Sequence, residues 1–424
     1  MRMLHAIRSQ FCICLFLVGI VSIIGLEKVH ASDHLDTPTV IADPAADIGD
    51  LYAWTSSDGK RLNLVMDIVA HQFSNRLQYV FHVDSGQQFG KTTASTTILC
   101  RFDVANNVEC WAGSRDYVRG DAHTPAGLES EKHTFRIFAG LRDDPFFNNV
   151  KGTREAYNVA GAALKNGTSV DGAGCPNFTP ATAQAILDTW RHTSGGPATN
   201  LLAGWKASAI VVSIDLDVLT TGGKLAAVWG TVHRVPHGHT AQIAHGMDRH
   251  PAMPALGEAI ERTARPLIKN GLVGGPLDQE AISYARREAY NRVARTGWGR
   301  FSQDIERNLS LYDGFDGTCG NQWLADRKAA PSKRYATLAK LFADDRIWVN
   351  TSSSSCTQLF AVEFTAFGTP GALREDCGGR TPNYNASNIF RSLLTKGMTS
   401  GFDDGLEHDD KVHSTSEFPF LAEP

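Results

Sequence analysis

Beyond its first 31 residues the 424-residue chain has no apolar run of the ~20 residues that a membrane-crossing helix needs. It also lacks a strong charge of either sign: the net charge is −4, with 20% of residues charged and 42% hydrophobic. So mild an acidic balance argues against nucleic acid as a partner, and the apolar share argues against disorder. Several catalytic signatures are missing as well. His-Glu-x-x-His, Gly-x-Ser-x-Gly and Cys-x-x-Cys-His do not occur, so zincin, common serine-hydrolase and covalent c-type haem chemistry are not indicated. There is no EF-hand loop. "SGQQFGKTT" only imitates a phosphate loop, because Ser85 stands where the first glycine is needed and Gly86 is one residue too close.

What is present begins with an export signal. Arg2 and Arg8 precede an apolar run from Phe11 to Leu26, and "VHA" ends a small-residue cleavage pattern at Ala31. Residues 1–31 therefore read as a secretory signal peptide, and the mature protein as secreted or periplasmic. Cleavage removes Arg2, Arg8 and Lys28 against Glu27, which leaves the net charge two units more negative. It also removes Cys12 and Cys14. Six cysteines remain, and an even count in an exported chain favours disulfides. In "TTILCRFDVANNVECWAG" a hairpin that sets Phe102 opposite Val108 also sets Cys100 opposite Cys110 and Arg101 opposite Glu109. One register thus accounts for a disulfide, an apolar pair and a charge pair. The other four cysteines allow three pairings. Cys356–Cys377 with Cys175–Cys319 is preferred, because the first closes a short local loop.

Hydrophobic periodicity gives the architecture. From Leu51 to Gly140 the period is two: Leu62, Leu64, Met66 and Ile68 share one face, and Leu77, Tyr79, Phe81 and Val83 another. Turn-rich "SSDGK", "SNR" and "DSGQQFG" separate the runs, the pattern of an antiparallel sandwich. Residues 151–205 are helical instead, with Thr179 as N-cap and Pro180 at the first position of the second helix. Strand patterns return in "SAIVVSIDLDVL" and "KLAAVWGTVHR". "LDQEAISYARREAYNRVAR" and "SKRYATLAKLFADD" are helices; "RIWVNT" and "CTQLFAVEFTAF" read as strands, and "NASNIFRSLL" as a last helix. The expected fold is α+β, mainly β: an antiparallel β-sandwich core with a helical insertion and a helical C-terminal half. Its expected parts are a sandwich domain at 32–235 with the insertion at about 151–205, a mainly helical segment at 236–345, and 346–424 packing back on the core.

Several segments together resemble a bacterial exported family filed as domain of unknown function 4331. "SDHLDTP" and "DPAADIGDLYAW" resemble its opening, "GLRDDPFFNN" its Arg-x-Asp-Pro-Phe-Phe stretch, and "AAVWGTVHR" and "ERTARPLIKN" its middle. "CGGRTP" and "FDDG…FPFLAEP" resemble its end. Leu35 stands where that family usually has Arg, and Ala264 where it usually has Gly. The resemblance implies export and a β-rich fold, and no activity.

Two constellations carry candidate chemistry. The opening segment and the tail supply His34, Asp36, Asp43, Asp47, Asp50, Asp404 and Asp409, oxygen-rich ligands of the kind calcium takes. They form one site only if the chain ends meet in space. The plain alternative is turn chemistry, since Asp before Pro starts turns and Asp bonds neighbouring N–H groups. The second constellation is "VHRVPHGHTAQIAHGMDRHP", with His233, His237, His239, His245 and His250 around Asp248. Imidazoles suit a transition metal, and the plain alternative is a polar surface loop. In "GLRDDPFFNN", Phe146 and Phe147 read as core plugs and Asp144 as a turn residue before Pro145; the alternative is a ligand-contacting loop in which Arg142, Asp143 and Asp144 join the two aromatic platforms. Arg380 in "CGGRTP" is placed to pair with the acidic loops.

The sequence thus reads as an exported, non-catalytic binding or structural module, stabilised by disulfides and a calcium-like ion. Its expected partner is a small molecule, glycan or envelope protein. The alternatives are a metal-dependent hydrolase using the histidine cluster, with Asp248 as ligand or base, and non-covalent haem binding through a histidine.

Overall fold

The computed structural model describes residues 34–236 and 251–424. Fourteen strands are defined among them. They are β1 (Ile48–Thr55), β2 (Arg61–Ile68), β3 (Leu77–Gly86), β4 (Ala94–Phe102), β5 (Val108–Ala112), β6 (Asp116–Gly120), β7 (Leu128–Glu129) and β8 (Phe135–Asp143). β9 (His192–Thr193), β10 (Gly196–Pro197), β11 (Lys206–Asp215), β12 (Leu225–Arg234), β13 (Ala259–Thr263) and β14 (Ile347–Asn350) follow. The α-helices are α1 (Pro38–Ala42), α2 (Val150–Lys165), α3 (Pro180–Trp190), α4 (Leu216–Leu219), α5 (Glu280–Arg292), α6 (Ser302–Asp313), α7 (Ala336–Ala343), α8 (Ala361–Ala366) and α9 (Ala386–Lys396). Among the described residues no helix is long and apolar enough to cross a membrane.

Two antiparallel sheets carry the β-core. One has the order β1-β2-β11-β8-β7, the other β13-β12-β3-β4-β5-β6, with β14 also paired to β12. The alternating residues behave as their period requires: Leu62, Leu64, Met66, Ile68, Tyr79, Phe81 and Val83 are all buried in one continuous apolar cluster. The sheets approach closely at Gly230 of β12. A Cβ there would lie 2.8 Å from Met66 Cε and 3.4 Å from Leu51 Cδ1, so glycine lets the two layers meet. The β4–β5 hairpin has the expected register, with Cys100 opposite Cys110 and Arg101 opposite Glu109. Disulfides join Cys100 to Cys110, Cys175 to Cys319 and Cys356 to Cys377, the pairs read from the sequence.

The polar face of the first sheet is not solvated, which simple alternation does not foresee. Asn63, Val65 and Asp67 are at most 1% exposed. Later parts of the chain cover this face. Arg380 donates to the Leu51 carbonyl and stacks over Tyr52, and Phe420 packs edge-on against Trp54. The helices form a second core of their own. Ala156 and Trp190 from the insertion pack in one cluster with Tyr290, Leu309, Phe342 and Phe390 from the C-terminal half. The insertion and the later helices are therefore one apolar body, and the Cys175–Cys319 disulfide ties them covalently.

One expected strand is a helix. "CTQLFAVEFTAF" contains α8, not a strand. Phe360, Ala361, Val362, Glu363 and Phe364 are all buried, so burial on every side leaves no periodicity to read. The deciding contact is tertiary: Phe360 and Phe364, one helical turn apart, both pack on Trp323. The segment expected to be mainly helical also contributes β13, which pairs with β12.

The longest and shortest disulfide loops differ in what they close. Cys175–Cys319 spans 144 residues and Cys100–Cys110 spans 10. In the chain-entropy picture these restrict the unfolded chain by about 5 and about 3 kcal/mol. Replacing Cys175 and Cys319 by alanine should therefore lower the denaturation midpoint more than replacing Cys100 and Cys110, measured by urea unfolding; the reverse order would show that native hairpin packing outweighs loop closure.

Candidate metal centre

Where the first sheet, β13 and the helical body meet, six carboxyl groups and three basic groups are enclosed together. Asp47 precedes β1, Asp50 lies in it, Asp67 in β2 and Glu261 in β13. Asp144 follows β8, and His34 and Asp36 come from the opening segment. Lys269 sits in the π-helical turn Ile268–Val273, and Arg380 in the loop before α9. None of the nine is more than 3% exposed. Local structure explains some of the placement. Thr37 caps α1 and Pro38 occupies its first position, so the chain turns sharply between Asp36 and Asp43. Gly49 lies flat under the imidazole of His34. A Cβ there would approach Nε2 to 2.8 Å, so only glycine lets the ring sit on the start of β1.

Two groups of ligand-bearing atoms can be distinguished. In the first, His34, Asp50 and Asp144 bring their ligand atoms within 4.8 Å of one another. His34 Nε2 lies 2.8 Å from Asp144 Oδ2, and Arg380 pairs with Asp50 Oδ1 at 2.5 Å. Asp144 Oδ1 accepts the Phe146 N–H, the turn expected before Pro145. Asp67 stands opposite Asp50 in the β1–β2 register. In the second group, Asp36, Asp47 and Glu261 converge. There the Lys269 ammonium bonds Glu261 and lies 3.3 Å from Asp36. Asn291 donates to Glu261, and the Leu35 N–H to Asp47.

One ammonium offsets only part of the second group's three carboxylates, and both groups keep unmet acceptors: in the second, Asp36 Oδ1 and Oδ2 and Asp47 Oδ1 make no hydrogen bond. Neither oxygen of Asp67 has a hydrogen-bond partner, and Asp50 Oδ2 and His34 Nδ1 have none. Burial is costly for such groups and moves their protonation. Desolvation pushes Asp47 up to about 7, against the pull of Lys269, and Asp50 up to about 6, against the pull of Arg380. Asp67 rises well above the ordinary carboxylate range, through burial first and then the charges of Asp144 and Asp50. Glu261 rises likewise, burial outweighing Lys269. Burial pulls His34 down, but its bond to Asp144 and the nearby charges of Asp50 and Asp47 lift it to about 9. With every group ionised, the centre would hold three more negative charges than positive ones. Protons or a metal cation must supply the difference.

The expected site residues divide accordingly. His34, Asp36, Asp47 and Asp50 come together. Asp43 does not: it stays half-buried outside the centre, flanking the turn Pro44–Ala46. The meeting of tail and opening aspartates does not occur either. Asp404 is bound by Arg391 and the Asn149 N–H, and Asp409 by Asn200 and His413. Asp404 is met by an arginine, and Asp409 converges instead with Asp143 and His413, their ligand atoms within 4.8 Å of one another. The C-terminal third reaches the centre through Arg380 instead. Phe146 and Phe147 are buried, as core plugs should be. His237, His239, His245, Asp248 and His250 lie outside the described residues. His233 has both ring nitrogens engaged within the β-core, one with Thr231 Oγ1 and the other with the Gly257 carbonyl.

Sequence reasoning missed Asp67, Glu261 and Lys269 and preferred a turn-forming role for Asp144. A signal existed for Asp67, the lone carboxylate of β2, set between the apolar Met66 and Ile68. No family model, curated protein or solved structure matches the chain.

The shifts fix a sign for pH dependence. Asp47 and Asp50 hold protons in the folded state, at about 7 and about 6, that they release at 3.8 when unfolded. Their contribution to stability therefore falls as pH climbs from about 4 to about 7. His34, raised from 6.5 to about 9, contributes fully below 6.5 and loses that contribution as pH rises through 9. Both act in one direction, by on the order of a few kcal/mol. Chelator-treated protein should resist urea better at pH 5 than at pH 8.5, and Asp67→Asn should flatten that difference. A wild-type profile rising with pH, or one left unchanged by Asp67→Asn, contradicts this account.

Proposed function

We propose that this is an exported, non-catalytic binding or structural module of the cell envelope or extracellular space, whose interior is held by a calcium-like cation. The observation that carries the cation is Asp67. It is fully buried with neither oxygen bonded, beside Asp50 and Asp144 in a centre with surplus negative charge. Hard cations take carboxylate oxygens, so Asp50 and Asp144, which converge with His34, are the residues to hold one, with Asp67 opposite Asp50 supplying the unmet charge beside it. The cation would join β1 and β2 to the end of β8, next to the point where Arg380 brings in the C-terminal segment. Its role is cohesion, because it meets charge that the fold otherwise leaves to protons.

Export is supported by the leader-like first 31 residues, by the resemblance to an exported family, and by the disulfide pairing of all six cysteines beyond that leader.

The test is calcium titration of chelator-treated protein, followed by thermal unfolding and elemental analysis. Calcium at a hundredfold its dissociation constant should stabilise by about 2.7 kcal/mol. The gain should be larger at pH 8 than at pH 5, because protons compete for the same oxygens. Asp67→Asn should abolish most of it. Identical melting with calcium or chelator at both pH values, with no bound metal, would leave protons alone as the neutralising species.

A further inference from the structure

A cavity in the helical body has a chemistry opposite to that of the acidic centre. It encloses about 220 Å³ between α2 and the segment leading into α5. At ~30 Å³ per water it holds roughly seven waters, or one small organic molecule. Its wall includes Arg154, Tyr157, Asn270, Ser283, Arg287 and Arg391.

We propose that this cavity binds a small ligand through a carboxylate or phosphate group. Two observations carry the inference. First, four of the lining residues carry a polar atom without a partner: Arg287 Nε, Arg391 Nε, Asn270 Nδ2 and Ser283 Oγ make no hydrogen bond. The first three can only donate, and a serine hydroxyl can. A cavity lined by unmet donors suits a ligand rich in acceptors, and charged oxygens are the strongest acceptors.

Second, the acidic residues at the cavity are already engaged. Asp278 is paired with Arg286 at 2.5 Å and Arg307 at 2.8 Å and accepts the Gly275 N–H. Glu280 accepts the Tyr284 hydroxyl. Arg287, by contrast, directs its Nη groups to the backbone carbonyls of Asp36, Asn270 and Gly274. Those contacts fix the guanidinium in place without a carboxylate. Arg391 is fixed too, by Asn148, Thr153 and an ion pair with the Asp404 carboxylate. The guanidiniums are therefore held rigidly before any ligand arrives, and that of Arg287 keeps a charge that no carboxylate pairs. It uses no carboxylate of the acidic centre, so it stands or falls independently of the cation.

Isothermal titration calorimetry on the purified protein separates the outcomes, with inorganic phosphate, glucuronate and neutral glucose as probes. Saturable one-to-one binding of phosphate or glucuronate is expected, with none for glucose. Arg154→Glu should weaken it at least tenfold. Asn270→Leu, which keeps every charge, should weaken it about threefold and decides the matter if Arg154→Glu alters the near-ultraviolet circular dichroism. Phosphate alone binding would mark a free-anion site, and glucuronate alone an acidic-sugar site; either supports the proposal. No saturable binding of either anion, glucose binding as tightly, or wild-type affinity in the folded variants would overturn it and leave the cavity to water.

Discussion

The structure depends on how it neutralises charge it has taken out of water. An isolated ionised carboxylate is too costly to bury unless it is paired, protonated or bound to a metal. This chain buries six in one place: Asp36, Asp47, Asp50, Asp67, Asp144 and Glu261. They are drawn from the opening segment, β1, β2, the end of β8 and β13. Their partners come from elsewhere, with Lys269 and Asn291 in the helical body and Arg380 near the C-terminus. Neither core can therefore reach its final state alone. The sandwich supplies most of the acids, and the helical body and C-terminal third supply most of what offsets them.

This division also explains the order of the chain. The helices of the insertion and of the C-terminal half lie far apart in sequence yet share one apolar core. The chain leaves the sandwich after β8, lays down α2 and α3, and returns for β11 and β12 before completing the helical body. Arg262 shows how tightly the two parts are joined. Its guanidinium lies between the rings of Tyr290 and Trp298, at 3.5 and 4.0 Å from their centroids. A β13 side chain is thus held between aromatic rings of α5 and of the short helix Arg295–Phe301. Cation–π contact is one of the few favourable environments for a guanidinium without carboxylate partners.

Much of this fold was legible in the sequence, because period-two runs, caps and turns are local signals. The β4–β5 register followed from three residue pairs, and the start of α3 from Thr179 and Pro180. What failed locally was decided by tertiary contact. α8 lies in a segment buried on every side, and Trp323 made it a helix. The candidate site was half legible. His34, Asp36, Asp47 and Asp50 stood out because they cluster in sequence. Asp67, Asp144 and Glu261 did not, because they join the centre through pairing and packing. Asp404 stands apart from the opening aspartates for the converse reason: composition marks a carboxylate but not the arginine that Asp404 finds in Arg391.

Solvent access divides the possible roles of these charged groups. Asp67 and Glu261 are fully buried, so no substrate touches them while the fold is intact. A general acid or base must lie within hydrogen-bond reach of the proton it moves. Strongly shifted carboxylates often mark catalytic sites, but internal ion networks shift them equally well. Here the shifts come mainly from burial, which is the signature of a packed interior and not of a cleft. The arginine-lined cavity has the opposite character, with a hollow in place of a packed junction and donors in place of acceptors. A molecule that meets its interior charge with a small cation and recognises an external anion with fixed guanidiniums would use both signs of charge without moving either. That economy of motion is what a binding module requires, since a preorganised site loses least free energy to reordering when its ligand arrives.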